Sequence, residues 1–369
     1  MTLSRRKTLA LIGGGTIVAA SASAAGFLTT RTPHDALRPW ALAGGYADPR
    51  MNALSHAVLA PNPHNLQPWQ VRLDGENAVT LIHDTSKRLP ETDPFDRQLM
   101  IGFGCFLEQM VLAAGAGGHN VDLTLFPKGE DNAEIAHAVF RPGATSDPLA
   151  AHIMDRRSCK EPFSDQPVPA RLVNTLSDYA QIHTDPALVQ RLRTLTYDAW
   201  LVEYVTPRTL QESIDLMRMG KTEINATPDG IDIGGPFMES LMMVGMMSRE
   251  GLTDPGSIAF EQGIEIYRSM LEATPAYAVI TSDSNTRADQ IDAGRRWLRL
   301  NLATTANGLS LHPVSQALQE YPEMSEHYKA AHDLLAETGQ TVQMLGRVGY
   351  GPDIPRTPRW PLEAKLVDV

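Results

Sequence analysis

The chain has 369 residues, 43% hydrophobic and 20% charged, enough apolar material to fill the core of one large domain or two ordinary ones. A formal charge of −11 with no Lys/Arg-rich run beyond the first ten residues gives no field for a phosphate backbone, so nucleic acid is not an expected partner. The two cysteines, Cys105 and Cys159, lack the spacing of a metal site or a disulfide framework; they read as buried, inert thiols, and no metal is expected.

The opening MTLSRRKTLALIGGGTIVAASASAAG has a basic cluster (Arg5, Arg6, Lys7), an apolar run from Thr8 to Ala20 and small-residue cleavage sites ending at Ala24. This is the layout of a signal peptide over residues 1–24, reaching at most to about 30. The paired arginines resemble a twin-arginine signal, which implies export of the folded protein by that machinery to the periplasm. An uncleaved membrane anchor is the alternative, disfavoured because the run is short of the ~20 residues that span a bilayer. Cleavage after Ala24 removes three positive and no negative charges, taking the formal charge from −11 to −14.

Asp48 to Leu59 then reads as a helix, stopped by Pro61 and Pro63. The turn PNPHNLQPW follows; its prolines restrict their own φ angles and the residues before them, and so stiffen the backbone. VRL (71–73) and AVTLIHD (78–84) alternate as strands around DGEN, a hairpin. A helix is predicted over Arg97 to Ala116, ended by Gly117-Gly118 and followed by the strand VDLTLF.

The segment RRSCKEPF (Arg156 to Phe163) concentrates positive charge in an acidic chain. Met-rich sequence from Leu216 to Met247 reads first as core filler, with a flexible lid over a planar ligand as the alternative. Gly294 to Ala306 reads as a helix ended by Asn307-Gly308, with LSLHPVS extended after it. LAAGAGGHNV (112–121) and LATTANGLSL (302–311) align without a gap, Leu112 against Leu302; an offset of half the chain suggests an internal duplication.

PNPHNLQPW resembles the P-S-x-x-N-x-Q-P-W signature of the nitroreductase family of FMN oxidoreductases, RRSCKEPF resembles that family's R-x-S-x-[RK]-x-F motif, and LGRVGYGPDIPRTPRWPLE is similar to its closing strand with a phosphate-contacting basic residue at Arg359. The order is reversed: the N-x-Q-P-W motif here precedes the arginine motif by about ninety residues. Ordinary members are homodimers that place FMN between the two motifs of different subunits. The resemblance is therefore to the tandem, Acg-type branch. It implies an α+β, nitroreductase-like fold, with a central, mainly antiparallel sheet flanked by helices, in two fused pseudo-repeated halves that imitate the dimer. The halves are expected over 40–148 and 149–369, with a Met-rich insert or lid at about 205–275. A monomer with one FMN per chain is expected.

By the resemblance, Arg156, Arg157, Ser158 and Lys160 would hold the FMN phosphate and ribityl chain, with Lys160 nearer the ring, and Arg359 would join them. Pro61, Asn62, Pro63 and Asn65 would form the opposite wall, with the Asn65 amide aimed at ribityl or ring-edge atoms; Asn62 stands where the family usually has Ser. His64 reads as a polar turn residue, and Gln67 and Trp69 as the start of a strand and core. Pro313, Ser315 and Gln316 fall where the family sets a backbone N–H against the flavin N5. The implied function is ping-pong transfer of hydride through FMN to a nitroaromatic, quinone or similar aromatic acceptor. The flavin performs the chemistry, and no catalytic side chain is named. The donor is open between NAD(P)H and a quinol or protein. The alternative is a protein that binds or sequesters flavin with little or no turnover.

Overall fold

The computed structural model describes residues 30–368; the signal-peptide reading of residues 1–24 lies outside them. The first half opens with helices α1 (His34–Leu42) and α2 (Pro49–Ala57). Helix α2 starts because Asp48 accepts from the Arg50 N–H and Pro49 has no N–H to lose. Strands β1 (Trp69–Asp74) and β2 (Ala78–His83) form the predicted hairpin, in register from Trp69↔His83 to Asp74↔Ala78. Helix α3 (Arg97–Ala116), β3 (His119–Leu125) and β4 (Glu134–Pro142) complete this half. Although apolar over its length, α3 is a core helix, packed on nearly every face.

The second half contains α4 (Ala170–Leu176), β5 (Gln181–His183), α5 (Pro186–Val205), α6 (Pro207–Asp215), β6 (Met217–Met219), α7 (Gly220–Ala226) and β7 (Ile231–Ile233). It continues through α8 (Pro236–Met243), α9 (Arg249–Thr253), α10 (Ile258–Glu272), β8 (Ala276–Ser282), α11 (Arg287–Ala306), β9 (Ser310–Pro313), α12 (Ser325–Leu335) and β10 (Thr341–Gly349). Helix α11 begins seven residues before its predicted start at Gly294, because Thr286 and Asp289 form a capping box.

The strands are antiparallel but make two four-stranded sheets rather than one central sheet, in the orders β1-β2-β4-β3 and β5-β8-β10-β9; β6 and β7 pair parallel by themselves. In each four-stranded sheet the first two strands precede a twenty-residue helix and the other two follow it, and the last strand in sequence lies inside the sheet beside the second. The helices α3 and α11 pack against each other at the centre and correspond end to end under the offset that relates Leu112 to Leu302, Arg97 to Arg287 and Ala116 to Ala306. Glu108 of α3, almost fully buried, accepts from Arg295 (2.7 Å) and Arg299 (2.5 Å) of α11. After β10 the chain returns to the first half, where Leu366 bridges Val71 on the edge strand β1 and the Val367 N–H donates to the Val71 carbonyl.

The Met-rich segment is core only in part: Leu216 and Met217 pack against buried clusters and Ile224 is buried, but the stretch from α8 to Met246 is not. Of the residues of α8 only Glu239 is buried, and Met243 and Met246 are 73% and 50% exposed. Among the described residues, the exposed side chains of α8 and the loop after it join none of the buried clusters, whereas α5, earlier in the chain, packs Trp200 and Leu192 into a cluster under the second sheet.

Candidate functional site

The turn after α2 carries left-handed backbone at three non-glycine residues, His64 (φ 47°), Asn65 (54°) and Gln67 (52°). Such conformations cost of order 1–3 kcal/mol each and persist only where surroundings over-determine them. Here they do. Asn62 Oδ1 accepts from the Gln67 N–H (2.8 Å), and Asn62 Nδ2 donates to the Ala60 carbonyl. The buried Gln67 side chain donates to the Pro228 carbonyl (2.7 Å) and accepts from the Trp360 N–H (2.9 Å). Lys365 Nζ donates to the Gln67 carbonyl and the Gly230 N–H to that of Asn65. First half, insert and C-terminal segment therefore converge on one turn. Pro61 and Pro63 border it half-buried, and Trp69 begins β1 fully buried.

Asn65 does not present a free amide. Its Nδ2 donates to the Pro358 carbonyl (3.1 Å) and its Oδ1 accepts from Arg359 Nη1 (2.5 Å), because the left-handed backbone turns the side chain onto the C-terminal segment. Asn62 is likewise engaged within the turn. Both residues shape the wall.

Against this turn lies a cluster of guanidinium groups. Arg156 Nη2 and Arg359 Nη2 both donate to the Leu59 carbonyl, at 3.1 and 3.2 Å. Arg157 lies 4.9 Å over the Trp40 ring while donating to the Met154 and Arg156 carbonyls, and Arg356 lies over the same ring at 5.3 Å. Trp40 and Arg356 escaped the sequence reading; only the spacing of Arg356 and Arg359 in the stiff segment RTPRWP could have hinted at them. The Nε atoms of Arg156, Arg157 and Arg359 are buried with no hydrogen-bond partner among the described residues.

Burial, aided by the like charge of Arg156, pulls Arg359 down to about 9; burial and the neighbouring Arg157 pull Arg156 down to about 10. Like-charged groups so placed cost several kcal/mol each unless an anion compensates them. Three clustered guanidinium groups therefore retain N–H donors with no partner among the described residues, a chemistry able to accept an anion.

Lys160 is exposed, and its charge reaches groups from four elements. With burial as the larger cause, it holds His64 in the turn down to about 4 and, after Arg347, helps hold His312 of β9 well below its usual range. It also acts on Asp232 of β7 and Glu203 of α5, both raised chiefly by burial, Glu203 to about 7. Ser158 lies half-buried between the arginines and Lys160. The loop is pinned by the Cys159 N–H on the Leu311 carbonyl and by Arg347, fully buried in β10, which donates to the carbonyls of Cys159 and Glu161 and, at 3.2 Å, to His312 Nδ1. Arg347 is a positioning residue that the sequence alone did not single out.

Pro313 ends β9 opposite Gly346. The Ser315 hydroxyl is engaged with the Leu345 backbone of β10, and Gln316 is half-buried; among the described residues neither N–H donates a backbone hydrogen bond. The structure thus brings Arg156, Arg157 and Arg359 to one corner with the turn as its wall, and sets Lys160 near His64 and His312. A separate open groove of about 490 Å³ between α5 and α12, lined by residues such as Arg191, Asp198 and His327, contains none of them. The unsatisfied guanidinium donors lie outside that groove.

No family model matches the chain. It is similar to "Putative NAD(P)H nitroreductase Rv3131" of Mycobacterium tuberculosis, at 24% identity over 320 residues, covering 83% of this chain and 87% of the relative. A second mycobacterial relative, "Putative NAD(P)H nitroreductase acg", is 30% identical over 120 residues, 31% of this chain and 36% of that protein. Among solved structures, the FMN-dependent nitroreductase NfnB of Mycobacterium smegmatis, in complex with NADPH, aligns with a TM-score of 0.38 at 19% identity, covering 58% of this chain and 96% of that one. Over most of its length, this chain is thus similar in sequence to a mycobacterial protein named as a nitroreductase.

Proposed function

We propose that the chain is an FMN-dependent oxidoreductase of nitroreductase type. The carrying observation is the corner formed by the buried Arg156 and Arg359 and the half-buried Arg157, whose Nε–H donors are unpartnered and which have no carboxylate among their hydrogen-bond partners in the described residues. A phosphomonoester of about −1.5 to −2 charge satisfies those donors and removes their mutual repulsion.

When bound, FMN supplies a two-electron centre that a donor reduces and an electron-poor aromatic acceptor, a nitroaromatic or quinone, reoxidises. The chain's own groups bind and orient. The arginines hold the phosphate, with Ser158 as a neutral donor. Lys160 places positive charge toward the ring, and the backbone of Ser315 and Gln316 offers N–H donors at the far wall. The turn of Pro61, Asn62, Pro63 and Asn65 closes the other side as a rigid surface, so little ordering entropy is lost on binding.

The two sheets of identical order and the central helix pair, related by the same half-chain offset, support the reading of a fused pair of nitroreductase-like halves, working as a monomer with one composite site. The relatives' names favour a nicotinamide donor. The sequence of residues 1–24 supports twin-arginine export to the periplasm, where a quinol or protein donor would serve instead.

Flavin stoichiometry and anaerobic reduction test this. One FMN per purified chain, reducible by NAD(P)H or a quinol and reoxidised by a nitroaromatic or quinone, is expected. Colourless protein that takes up no FMN overturns the proposal. Two equivalents refute the single composite site. Bound flavin that no donor reduces leaves a flavin-binding protein without turnover.

A further inference from the structure

The most exposed apolar surface among the described residues that the site does not use lies on α8 and the loop after it: Phe237, Met243, Val244 and Met246 are between 50% and 73% exposed. The nine residues from Ser240 to Ser248 carry no charge. Isolated exposed apolar residues are ordinary, but four within ten positions form a surface that water solvates poorly. Its surroundings are ion-paired rather than basic: Arg31 with Glu239 (2.9 Å) and Arg249 with Glu223 (2.6 Å). The surface therefore suits an uncharged, apolar phase more than an anionic one.

Where the chain enters the fold indicates that phase. Lys221 Nζ donates to the Thr30 carbonyl, and Arg31 pairs with Glu239 of α8 itself, so the first described residues stand at the flank of this patch. Their apolar run, Thr8 to Ala20, is about ten residues upstream of Arg31, a tether of at most about 35 Å. A run seated in a bilayer during export would bring α8 within reach of the same bilayer.

We infer that the patch of Phe237, Met243, Val244 and Met246 is a membrane-contact surface that lays the insert on the acyl boundary of a neutral lipid bilayer. Met and Phe suit this role, since they bury apolar area without committing to one partner geometry. The same insert carries Asp229 and Gly230, which hold the turn of the candidate site through Trp360 and Asn65.

The test uses the full chain with Met243→Cys labelled by an environment-sensitive nitrobenzoxadiazole dye; Cys105 and Cys159 are buried and do not compete. Phosphatidylcholine vesicles are expected to produce a blue shift and a severalfold rise in emission, little affected by salt. The same dye at Glu76→Cys, on the exposed tip of the β1–β2 hairpin, is expected to show neither. Adding Phe237→Ser, Val244→Ser and Met246→Ser is expected to abolish the response without changing the melting temperature. No response at position 243 overturns the inference, as does an equal response at position 76 or one that survives the serine substitutions. Emission already blue-shifted without vesicles also overturns it, because the patch is then covered by protein.

Discussion

Gly104 of α3 and Gly294 of α11 meet backbone to backbone at the centre of the molecule. A Cβ at Gly104 would lie 2.1 Å from the Ile291 carbonyl oxygen, and one at Gly294 would lie 2.0 Å from that of Ile101. The two contacts interchange under the offset that relates α3 to α11, as self-complementary contacts do across a twofold axis. Because the obstacle is backbone, it cannot rotate away. Gly104→Ala or Gly294→Ala is therefore expected to lower stability by about 3 kcal/mol in denaturant titrations. Gly115→Ala, near the end of α3 with its nearest neighbour atom at 3.7 Å, is expected to be neutral or to stabilise by up to about 1 kcal/mol.

Arg157→Ala separates phosphate recognition from folding. Among the described residues its side chain makes two carbonyl hydrogen bonds, both to residues just before it, and is half-buried over Trp40. Loss of one charge-assisted bond is expected to weaken FMN binding by roughly 1.5–3 kcal/mol, about 10- to 150-fold. Riboflavin, which lacks the phosphate, is expected to bind the variant and the parent alike. Equal losses for both ligands would place the phosphate elsewhere.

Acid should destabilise the fold through its neutral histidines. Burial and Lys160 hold His64 at about 4 in the folded state against 6.5 for an unperturbed imidazole, and His312 is depressed in the same sense. Between those values the unfolded chain binds more protons, so this stability is complete above about 6.5 and is lost as pH falls through 4. His64→Asn, which tolerates the left-handed backbone, is expected to remove about 2–3 kcal/mol of that pH dependence, read from denaturation midpoints at pH 7 and pH 4. Glu203 acts oppositely: burial raises it to about 7, so its contribution is full near pH 4.5 and below and fades as pH rises through 7.

Asp229 ties the insert to the rest of the molecule. Its fully buried carboxylate accepts from Lys87 of the first half (2.6 Å), Arg218 of β6 (2.8 Å) and the Trp360 indole (2.9 Å). Asp229→Ala leaves two cations facing each other with no anion between them. A loss of about 3–5 kcal/mol is expected, with the first proteolytic cuts falling between residues 217 and 247.

Much of this was local and therefore legible. Asp48-Pro49 and the Gly117-Gly118 pair mark helix ends through backbone chemistry that needs no tertiary partner, and alternation around DGEN specifies a hairpin. The start of α11 was missed because its capping box, Thr286 and Asp289, stands outside the Leu/Ala-rich run that signalled the helix. The α8 end of the Met-rich segment misled because helical spacing reports which residues share a face, not whether anything covers it.

By itself the sequence determined the β1–β2 hairpin, the strands after the two central helices, α3 and most of α11, the half-chain spacing between them and the concentration of arginines in RRSCK and RTPRWP, since each can be read along the chain without knowing how it packs; β4, β5, β8 and the helix α5 were not legible that way. Only the tertiary structure decided that the strands divide into two sheets and that Gly104 and Gly294 bring the central helices into contact. It also decided that Arg156 and Arg359, far apart in the chain, share the Leu59 carbonyl beside Trp40. Those outcomes depend on which surfaces exclude water together and which buried donors remain unsatisfied, and both belong to the packed chain rather than to any stretch of it.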